Sequence, residues 1–369
     1  MGTERYNRQL ILQGFGEAAQ HRLAEARVLV IGAGGLGCPA LQYLAAAGIG
    51  HIGIADHDTV SLSNLHRQIL YGNDDMGHLK VEIAVKRLHQ LNPDITLISH
   101  PLSVNTSNIL NIIKPYDYVF DATDNFTSRY LINDACVLLK TTLIFAAVSG
   151  YEGQLAIFNA GERLEDRTNY RDLFPVSPEP GEIANCAEEG VLGVLPGIIG
   201  TMAAAEIIKL ITGIGDPLIN KIRHYHLLSG QQYEMNISPA SNYTLADTEQ
   251  EFLYMHTPSP AEQTQDYLEI DATQLQELQQ QASTLLIDVR ERHEFPTLDA
   301  AHYRKIPMSE FSEFLQSDVN ETNIVLLCQH GIRSQAAAEA LFQKYGHTKN
   351  IFSLKGGIVK WRNHFKDGQ

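Results

Sequence analysis

A short apolar run, Arg27–Ile31, leads directly into the glycine-rich turn Gly32-Ala33-Gly34-Gly35-Leu36-Gly37 and then into an apolar helix from about Pro39 to Ala47. A buried strand, a glycine turn and a helix N-terminus in this order begin a βαβ unit, in which backbone amides and the helix dipole favour an anion. The next predicted strand, His51–Asp56, ends on an acidic residue that is placed for the hydroxyls of a ribose. The pattern predicts a nucleotide site, but it also fits nicotinamide and flavin enzymes and a turn without a ligand.

The alternation of strands and helices continues through residues 1–238 and returns on a smaller scale in residues 267–369. This rhythm is typical of a parallel sheet with helices on both faces. We expect an α/β protein with a doubly wound, Rossmann-like, mostly parallel sheet and a second, small α/β domain. The further predicted elements are helices over 79–91, 129–139, 193–211, 335–345 and 359–365, and strands over 118–122, 142–146, 285–288, 324–327 and 351–354.

The chain has 369 residues, enough for two or three domains, and a net charge of −15. Such an acidic protein is not expected to bind nucleic acid or an anionic membrane non-specifically. No apolar run of the roughly 18 residues that a membrane helix needs is evident, nor a signal peptide in residues 1–13, so the cytoplasm is the expected location. Residues 239–266 contain acidic residues and prolines but no Lys or Arg, which predicts an acidic linker between a domain over 1–238 and one over 267–369.

Basic and acidic residues follow the predicted strands of the first domain at one edge of the sheet. Asn64 and Arg67 come after the second strand, Lys80 opens the next helix, and Asp124-Asn125 follows the strand after that. Arg and Lys neutralise phosphates, and a carboxylate binds a hard cation. This set therefore suits a triphosphate with Mg²⁺ better than a dinucleotide.

Residues 1–238 resemble the ubiquitin-activating-type adenylyltransferases, in particular those of molybdopterin and thiamine biosynthesis. The motifs of that family occur in order: Arg5-Tyr6-Asn7-Arg8-Gln9, the glycine turn, Ser63–Gln68, Thr123-Asp124-Asn125 and Asn185-Cys186-Ala187-Glu188-Glu189-Gly190-Val191-Leu192-Gly193. The resemblance implies that ATP adenylylates the C-terminal glycine of a small ubiquitin-like protein and that pyrophosphate is released. Such a reaction depends on neutralising the charges of a carboxylate and a phosphate rather than on acid–base catalysis.

The same resemblance implies roles for individual residues. Asp124 would hold Mg²⁺, Arg67 and Lys80 would act on the phosphates, and Arg8 would reach the phosphates of the neighbouring subunit, which implies a homodimer. The residues expected to bind ATP are Gly35, Asp56, Ser63, Asn64, Leu65, His66, Arg67, Lys80, Asp124 and Asn125.

Cys186 lies in the Pro- and Gly-rich stretch 161–190, whose low periodicity predicts a mobile functional loop. In similar proteins the matching cysteine can take the activated acyl group as a covalent intermediate, and whether it is essential varies; a buried structural thiol is the alternative. Many relatives also carry two C-x-x-C pairs that bind a structural zinc. These pairs fall here on Asn169-Tyr170-Arg171-Asp172 and Ser238-Pro239-Ala240-Ser241. We therefore expect no structural zinc, and a loop that is held otherwise or is more mobile.

A second cysteine, Cys328, follows a predicted strand and opens the loop Cys328-Gln329-His330-Gly331-Ile332-Arg333-Ser334 before a helix. Loop amides and a helix N-terminus stabilise an anionic sulfur. Residues 267–369 resemble a rhodanese domain through this loop, through Asp288-Val289-Arg290-Glu291 with Glu294, and through Lys355-Gly356-Gly357-Ile358 with Trp361. The resemblance implies a persulfide on Cys328, because phosphatase relatives have a loop one residue longer, and it implies that Asp288 and Arg290 tie the loop to the sheet.

One domain would make an acyl-adenylate, which is an electrophile, and the other a persulfide, which is a soft nucleophile. Together they predict that a ubiquitin-like sulfur carrier protein ending in Gly-Gly is converted into a thiocarboxylate, with thiosulfate or a cysteine desulfurase as sulfur donor. Molybdenum cofactor synthesis is the first expected pathway, and thiamine, cysteine or tRNA thiolation are others. Three alternatives stay open: a nicotinamide oxidoreductase, an activating enzyme for ubiquitin-like protein conjugation, and a non-catalytic scaffold that binds a ubiquitin fold.

Overall fold

The computed structural model describes residues 3–161, 163–178, 190–257, 267–281, 283–329 and 331–361. Residues up to Ser177 and described residues from Gly190 to Thr257 form one compact unit, and the described residues from Tyr267 onward belong to a second. Each unit is built around its own sheet. The α/β class predicted from the strand and helix rhythm is confirmed in both.

The sheet of the first unit has a parallel part and an antiparallel part. Its strands are β1 (Arg27–Ile31), β2 (His51–Ala55), β3 (Thr96–His100), β4 (Tyr118–Asp121), β5 (Thr142–Ser149), β6 (Glu152–Phe158), β7 (Lys221–His226) and β8 (Gln231–Asn236). They lie in the order β3-β2-β1-β4-β5-β6-β7-β8. The first five in this order are parallel, and β6, β7 and β8 are added antiparallel. From β1 the chain adds β2 and β3 on one side and then returns to add β4 and β5 on the other side. Proteins of the α/β class bind ligands in the crevice where the strand order changes direction in this way.

Helices cover both faces of the parallel part. They are α1 (Thr3–Leu10), α2 (Gly16–Glu25), α3 (Gly37–Ala47), α4 (Lys80–Leu91), α5 (Ile109–Ile113), α6 (Phe126–Leu139), α7 (Val194–Thr212) and α8 (Glu249–His256). Alternate residues of β1 face opposite layers: Val28 and Val30 pack into the apolar cluster that contains α3 and α7. Leu29 and Ile31 pack into the cluster that contains α5 and α6. After Arg27 the strand is apolar at every position, as is typical of a strand that is buried on both faces.

The apolar helix α7 passes through the core of the first unit. By length and composition it could cross a membrane, which corrects the expectation that no such run is present, but 50% of its most apolar stretch is buried inside the unit. It packs against α3, β5 and β6. A Cβ atom at Gly200 would lie 2.2 Å from the carbonyl oxygen of Leu36, so the helix backbone lies directly against the start of α3.

The acidic segment predicted as a linker is ordered against the first unit as far as Thr257. Its helix α8 begins after Thr248, whose side chain accepts a hydrogen bond from the amide of Glu251 and so forms a capping box. Phe252 on this helix is fully buried in the cluster that contains α5 and α6. The charge and proline content of residues 239–266 predicted an extended linker. Part of it is instead a helix, which is capped by Thr248 and packed against the first unit through the buried side chain of Phe252.

The second unit is a smaller parallel sheet with helices around it. The strands are β9 (Leu268–Ile270), β10 (Thr284–Asp288), β11 (Arg304–Lys305), β12 (Asn323–Leu327) and β13 (Asn350–Leu354), and the helices are α9 (Ala272–Gln279), α10 (Met308–Phe314), α11 (Ile332–Tyr345) and α12 (Gly357–Lys360). The order is β11-β10-β12-β13-β9, with every pair parallel. All residues of the central strand β12 are buried, and Cys328 follows directly at its carboxyl end.

Candidate active sites

A cleft opens at the carboxyl edge of the first sheet, beyond the ends of β1, β2 and β4. Its walls come from the glycine turn, from the residues that follow β2, from the first residue of α4, and from the turn that follows β4. Of the residues predicted to bind ATP, this cleft brings together Gly35, Asp56, Arg67, Lys80, Asp124 and Asn125.

The glycine turn needs glycine for two separate reasons. Gly32 has a φ of +100°, and a Cβ atom there would lie 2.6 Å from the carbonyl oxygen of Ala122. A Cβ atom at Gly37 would lie 2.0 Å from the carbonyl oxygen of Gly32. The turn therefore bends sharply into α3 while it lies against the end of β4, which leaves its backbone open to a ligand in the cleft.

Asp56 lines the cleft, and its carboxylate is hydrogen-bonded to backbone amides. One carboxylate oxygen, Oδ2, accepts a hydrogen bond from the backbone amide of Ala33 at 2.8 Å. The other, Oδ1, accepts one from the amide of Asp58 at 2.8 Å. The carboxylate is therefore held by backbone groups on both oxygens, and each oxygen keeps a lone pair for a hydroxyl donor such as a ribose.

Lys80 is a buried cation at the beginning of α4. Only 4% of the residue is exposed, and its Nζ donates a hydrogen bond to Asp58 Oδ2 at 2.8 Å. A cation at a helix N-terminus is unfavourable for the helix dipole, so the carboxylate of Asp58 compensates its charge. Asp58 is itself half exposed, and the pair lies at the wall of the cleft.

Arg67 is positioned by the turn that precedes it. Its Nη1 donates to the carbonyl oxygen of Ser63 at 3.0 Å and lies 2.9 Å from Nε2 of His66. Partial burial and the neighbouring guanidinium lower the pKa of His66. Asn64 uses its Oδ1 to accept a hydrogen bond from the amide of Ser61 at 3.2 Å, which closes this turn. The local contacts thus present Arg67 to the cleft.

The turn after β4 carries Asp124 and Asn125 into the cleft. Asn125 caps α6, because its Oδ1 accepts a hydrogen bond from the amide of Ser128 at 2.8 Å. The side chain of Asp124 is exposed at the cleft. An exposed carboxylate that lines the same cleft as Arg67 and Lys80 has the chemistry to hold a hard divalent cation together with phosphates.

The remaining predicted residues lie elsewhere. Ser63, Asn64, Leu65 and His66 are not among the described residues that line the cleft and instead build the turn before Arg67. Arg8 is exposed on α1, away from that lining. Cys186 lies outside the described residues. The cleft also contains Gln68, Ser103, Arg129 and Pro196, to which the sequence assigned no site role; the position of Arg129 in the first turn of the helix after Asp124-Asn125 was the available signal.

Hydrogen bonds join the two segments onto which the resemblance places the C-x-x-C pairs. Oδ1 of Asp172 accepts hydrogen bonds from the amide of Ala240 and the hydroxyl of Tyr243, both at 2.6 Å. Oδ2 accepts one from the amide of Asn169 at 2.7 Å, and the side-chain amide of Asn169 donates to Tyr243 at 2.6 Å. Burial and the contact with Asp172 raise the pKa of Tyr243 to about 12. Without zinc, this region was expected to be either held by other contacts or more mobile. In the described residues, hydrogen bonds hold the two segments together.

The second unit presents Cys328 in a loop that runs from β12 to α11. Only 1% of Cys328 is exposed. Its Sγ accepts a hydrogen bond from the amide of Gly331 at 3.1 Å and lies 3.6 Å from Oγ of Ser334. Gly331 has a φ of +96°, a conformation that glycine adopts without strain, and it turns the loop back towards the sulfur. An amide donor beside a helix N-terminus stabilises negative charge on this sulfur.

Two ion pairs hold that loop. The side chain of Arg290 is fully buried; its Nε and Nη2 donate to the carboxylate of Asp288, each at 2.9 Å, and its Nη1 donates to Oε1 of Gln329 at 3.2 Å. Arg333 donates to both carboxylate oxygens of Glu294, at 2.6 and 2.8 Å. Burial alone would raise the pKa of Glu294, but Arg333 outweighs it and lowers the pKa. Asp288 and Arg290 therefore tie the loop to β10, as predicted.

Comparison with known proteins assigns both units. The ThiF family model matches residues 6–245, and the rhodanese-like domain model matches residues 271–364. The chain belongs to the ThiF family. It carries a rhodanese-like domain in addition, and the predicted resemblance is confirmed for both parts.

Two relatives of this ThiF-family chain match nearly its full length, and a third matches part of it. It is 37% identical to the adenylyltransferase and sulfurtransferase MOCS3 of Drosophila persimilis, over 97% of this chain and 82% of that protein. It is 38% identical to the probable adenylyltransferase/sulfurtransferase MoeZ of Mycobacterium tuberculosis, over 97% of this chain and 92% of that protein. Over 63% of the chain it is 46% identical to a sulfur carrier protein adenylyltransferase of Thermus thermophilus, of which it covers 87%.

Solved structures agree on the fold of the first unit. MccB of E. coli, solved with ATP, superimposes with a TM-score of 0.58 at 22% identity, over 67% of this chain and 75% of that one. Together with the relatives, the two matched domains establish an enzyme that is an adenylyltransferase and a sulfurtransferase. The alternative of an activating enzyme without sulfur transfer is not favoured.

Proposed function

We propose that this protein binds ATP with Mg²⁺ in the cleft of the first unit and adenylylates the C-terminal glycine of a ubiquitin-like sulfur carrier protein ending in Gly-Gly. A persulfide on Cys328 then supplies sulfur, and the product is a carrier thiocarboxylate. The observation that carries the proposal is the coexistence in one chain of a cleft with Arg67, Lys80 and Asp124 and of a loop that donates an amide to the Cys328 sulfur.

Adenylylation joins two negatively charged groups. The carboxylate of the carrier attacks the α-phosphorus of ATP, the bond from that phosphorus to the bridging oxygen breaks, and pyrophosphate leaves. The guanidinium of Arg67 and the ammonium of Lys80 offset the charge that the two reactants bring together. Asp56, held by backbone amides on both oxygens, is available to the ribose. The glycine turn lets the backbone approach the phosphates.

Asp124 is the residue that we assign to Mg²⁺. Bound there, Mg²⁺ neutralises phosphate charge as a Lewis acid. The carboxylate is exposed at the cleft and faces the same space as Lys80 and Arg67. Asn125 caps α6 behind it, so the backbone that presents the carboxylate is anchored to a helix.

Sulfur transfer requires a nucleophilic sulfur that the protein protects until it reacts. Cys328 is buried at the end of the central strand of the second unit, with Gly331 N–H on its sulfur. A persulfide there would be formed from thiosulfate, with sulfite leaving, or by a cysteine desulfurase, and its outer sulfur would attack the acyl carbon of the adenylate and displace AMP. The resulting acyl disulfide on Cys328 would release the thiocarboxylate when a thiol attacks the Cys328 sulfur, and the disulfide left behind would be reduced by a low-molecular-weight thiol. We further propose that Cys186 links the carrier to the enzyme as a thioester or disulfide before the thiocarboxylate leaves.

The assembly and cellular setting are also proposals. We propose that Arg8 reaches the phosphates of a second subunit in a homodimer, as the family resemblance implies, and its exposure on α1 outside the lining of the cleft supports that role. The cytoplasm is the proposed compartment. Molybdenum cofactor synthesis is the first pathway to test, followed by thiamine, cysteine and tRNA thiolation.

Intact-mass analysis of a carrier tests the whole sequence of steps. A small ubiquitin-fold protein ending in Gly-Gly is incubated with the enzyme, MgATP, thiosulfate and a thiol reductant, beside the variants Asp124→Ala and Cys328→Ala. We expect one oxygen of the carrier to be exchanged for sulfur by the unaltered enzyme and by neither of these two variants. Asp166→Ala, which removes an exposed carboxylate outside the lining of the cleft, is the matched control and should react as the unaltered enzyme does.

The two variants separate the two half-reactions. Cys328→Ala should still exchange pyrophosphate with ATP in the presence of the carrier, and Asp124→Ala should not. A carrier that is adenylylated but never sulfurated, the same with or without Cys328, would refute the proposal and favour an activating enzyme for protein conjugation.

A further inference from the structure

A fully buried carboxylate lies behind the turn that carries Asp124. Asp121 is the last residue of β4 and is 0% exposed. Its Oδ1 accepts hydrogen bonds from the backbone amide of Thr123 at 3.0 Å and from the Thr123 hydroxyl at 2.6 Å. The last residue of β4 is therefore hydrogen-bonded to Thr123, the residue directly before Asp124.

A buried guanidinium approaches the same turn from α6. Arg129 is 9% exposed, lines the cleft, and its Nη2 lies 3.4 Å from the carbonyl oxygen of Thr123. The guanidinium lies over the rings of Phe126, Phe145 and Tyr170, with its central carbon 5.3, 4.9 and 5.7 Å from their centroids. Three aromatic faces thus fix the plane of this cation.

The two charges face each other at the back of the turn. Nε of Arg129 lies 3.9 Å from Oδ2 of Asp121. Among the described residues, neither of these two buried atoms has a hydrogen-bond partner. Burial raises the pKa of Asp121, and the positive charge of Arg129 opposes that rise. Each charge is therefore needed to keep the other in place, because an uncompensated buried charge is strongly unfavourable.

All three polar groups of Thr123 are engaged by this pair. The amide and the hydroxyl donate to Asp121, and the carbonyl oxygen faces Arg129. A residue held at both of its peptide groups has a fixed backbone direction, and the next residue along the chain is Asp124. Asn125 is fixed on the other side of Asp124 by its cap on α6.

We propose that Asp121 and Arg129 are positioning residues that hold the Asp124 carboxylate in the geometry needed for the divalent cation bound with ATP. This inference rests on the proposed function of the cleft. Partners of this kind, one shell behind a metal ligand, commonly change metal affinity by about 10- to 100-fold when they are replaced.

Equilibrium binding of ATP, measured by calorimetry once in EDTA and once in Mg²⁺, tests the inference without relying on turnover. Asp121→Asn keeps an acceptor for Thr123 but removes the charge that faces Arg129. We expect its ATP affinity in EDTA to stay within about threefold of the unaltered protein, because Lys80 and Arg67 are untouched. The gain in affinity on adding Mg²⁺ should fall by about tenfold or more.

The double variant Asp121→Asn/Arg129→Met separates positioning from simple stability. It removes both buried charges, so the thermal midpoint should recover towards that of the unaltered protein relative to Arg129→Met alone. The gain on adding Mg²⁺ should stay low, because nothing then holds the Thr123 carbonyl. If the recovered fold brought the Mg²⁺ gain back with it, the pair would be structural only. This variant also serves if Asp121→Asn alone does not fold.

Two further variants distinguish failure of this inference from failure of the proposed function. Asp134→Asn removes a buried carboxylate from α6, the helix that carries Arg129, outside the lining of the cleft. It should lower the thermal midpoint and leave the Mg²⁺ gain unchanged. Asp124→Ala should abolish the gain. If it does so while Asp121→Asn retains the full gain, the positioning role is wrong; if Asp124→Ala also retains it, the metal role proposed for Asp124 is wrong and the inference falls with it.

Discussion

Replacing Asp134 by Asn should destabilise the first unit more than the loss of an exposed ion pair would. The carboxylate is 2% exposed and accepts hydrogen bonds from Nε and Nη2 of Arg171 at 2.8 and 2.7 Å. It also accepts from Nε2 of His256 and from Nδ2 of Asn133, each at 2.9 Å. One side chain on α6 therefore holds the segment after β6 and the end of α8 together.

The magnitude follows from what the variant leaves behind. Asn keeps the volume and one acceptor, but the guanidinium of Arg171, whose side chain is 16% exposed, loses its counter-charge. Removing one partner of a buried pair costs about 3–5 kcal/mol, and we take about 3 kcal/mol because one acceptor is retained. A domain of this size loses roughly 2–4 °C per kcal/mol, so the thermal midpoint should fall by about 6–12 °C.

The effect should depend on pH with a definite sign. Burial raises the pKa of Asp134, but the hydrogen bonds from Arg171 and His256 outweigh it, and the pKa in the folded protein lies below its usual value. Such a group stabilises the fold above its unfolded pKa of about 3.9, and the contribution is lost as the pH falls through the lower, folded value. The difference between the unaltered protein and the variant should therefore be full at neutral pH and shrink on acidification.

Differential scanning calorimetry of the full chain at neutral pH and along an acid series measures both quantities. Glu165→Gln is the matched control, because Glu165 pairs with Arg163 at the surface, where both side chains are well exposed. Its midpoint should match that of the unaltered protein. If Asp134→Asn behaved like this control at neutral pH, or if its deficit persisted unchanged into acid, the argument from the buried pair would be wrong.

Three other outcomes are expected. Tyr243→Phe removes a hydrogen bond to the charged Asp172 and should lower the free energy of unfolding by about 1.5–3 kcal/mol. The loss should appear as a lower thermal midpoint and faster hydrogen exchange of the Ala240 amide, whereas no change would mean that the other hydrogen bonds of Asp172 hold the two segments. Glu294→Gln removes the bidentate carboxylate partner of Arg333 and should raise the rate at which the anion thiosulfate loads Cys328, because less of the guanidinium charge is then compensated; an unchanged rate would show that the guanidinium does not face the donor. Gly32→Ala forces a residue at a φ of +100° against the Ala122 carbonyl, so ATP binding should weaken by tenfold or more, and wild-type affinity would contradict the account of the turn.

The Asp172 network explains how part of the first unit keeps its shape with the residues that it has. Asn169 and Asp172 stand at the ends of one four-residue segment, and Ala240 and Tyr243 belong to or follow the other. Hydrogen bonds between neighbouring polar groups connect segments that are far apart along the chain. The sequence raised the question of what holds this region, but the answer depends on distances that only the fold provides.

Much of the fold was predictable because its signals are local. The apolar run of β1, the glycine turn after it and the alternation of strands and helices are properties of neighbouring residues. The predicted strands and helices lie within a few residues of the observed ones, except that residues 362–365 of the helix predicted over 359–365 lie outside the described residues. The antiparallel strands β6, β7 and β8 were not predicted. For β8 the reason is that it is exposed throughout, so its sequence carries no apolar signal. The packing of α8 against the first unit was not predicted, because it depends on contacts between Phe252 and residues that are far away in the sequence.

By itself the sequence determined the class of the protein and predicted the chemistry of its two sites, because both follow from the order of the motifs and their residue types. Asp56, Arg67, Lys80 and Asp124 were assigned to one site before the structure placed them around one cleft. Only the tertiary structure decided which neighbours hold those side chains: Asp58 on Lys80, and Asp121 with Arg129 behind the turn of Asp124. Pairing of buried charges depends on distance and exclusion of water, and neither quantity is encoded in any short stretch of the chain.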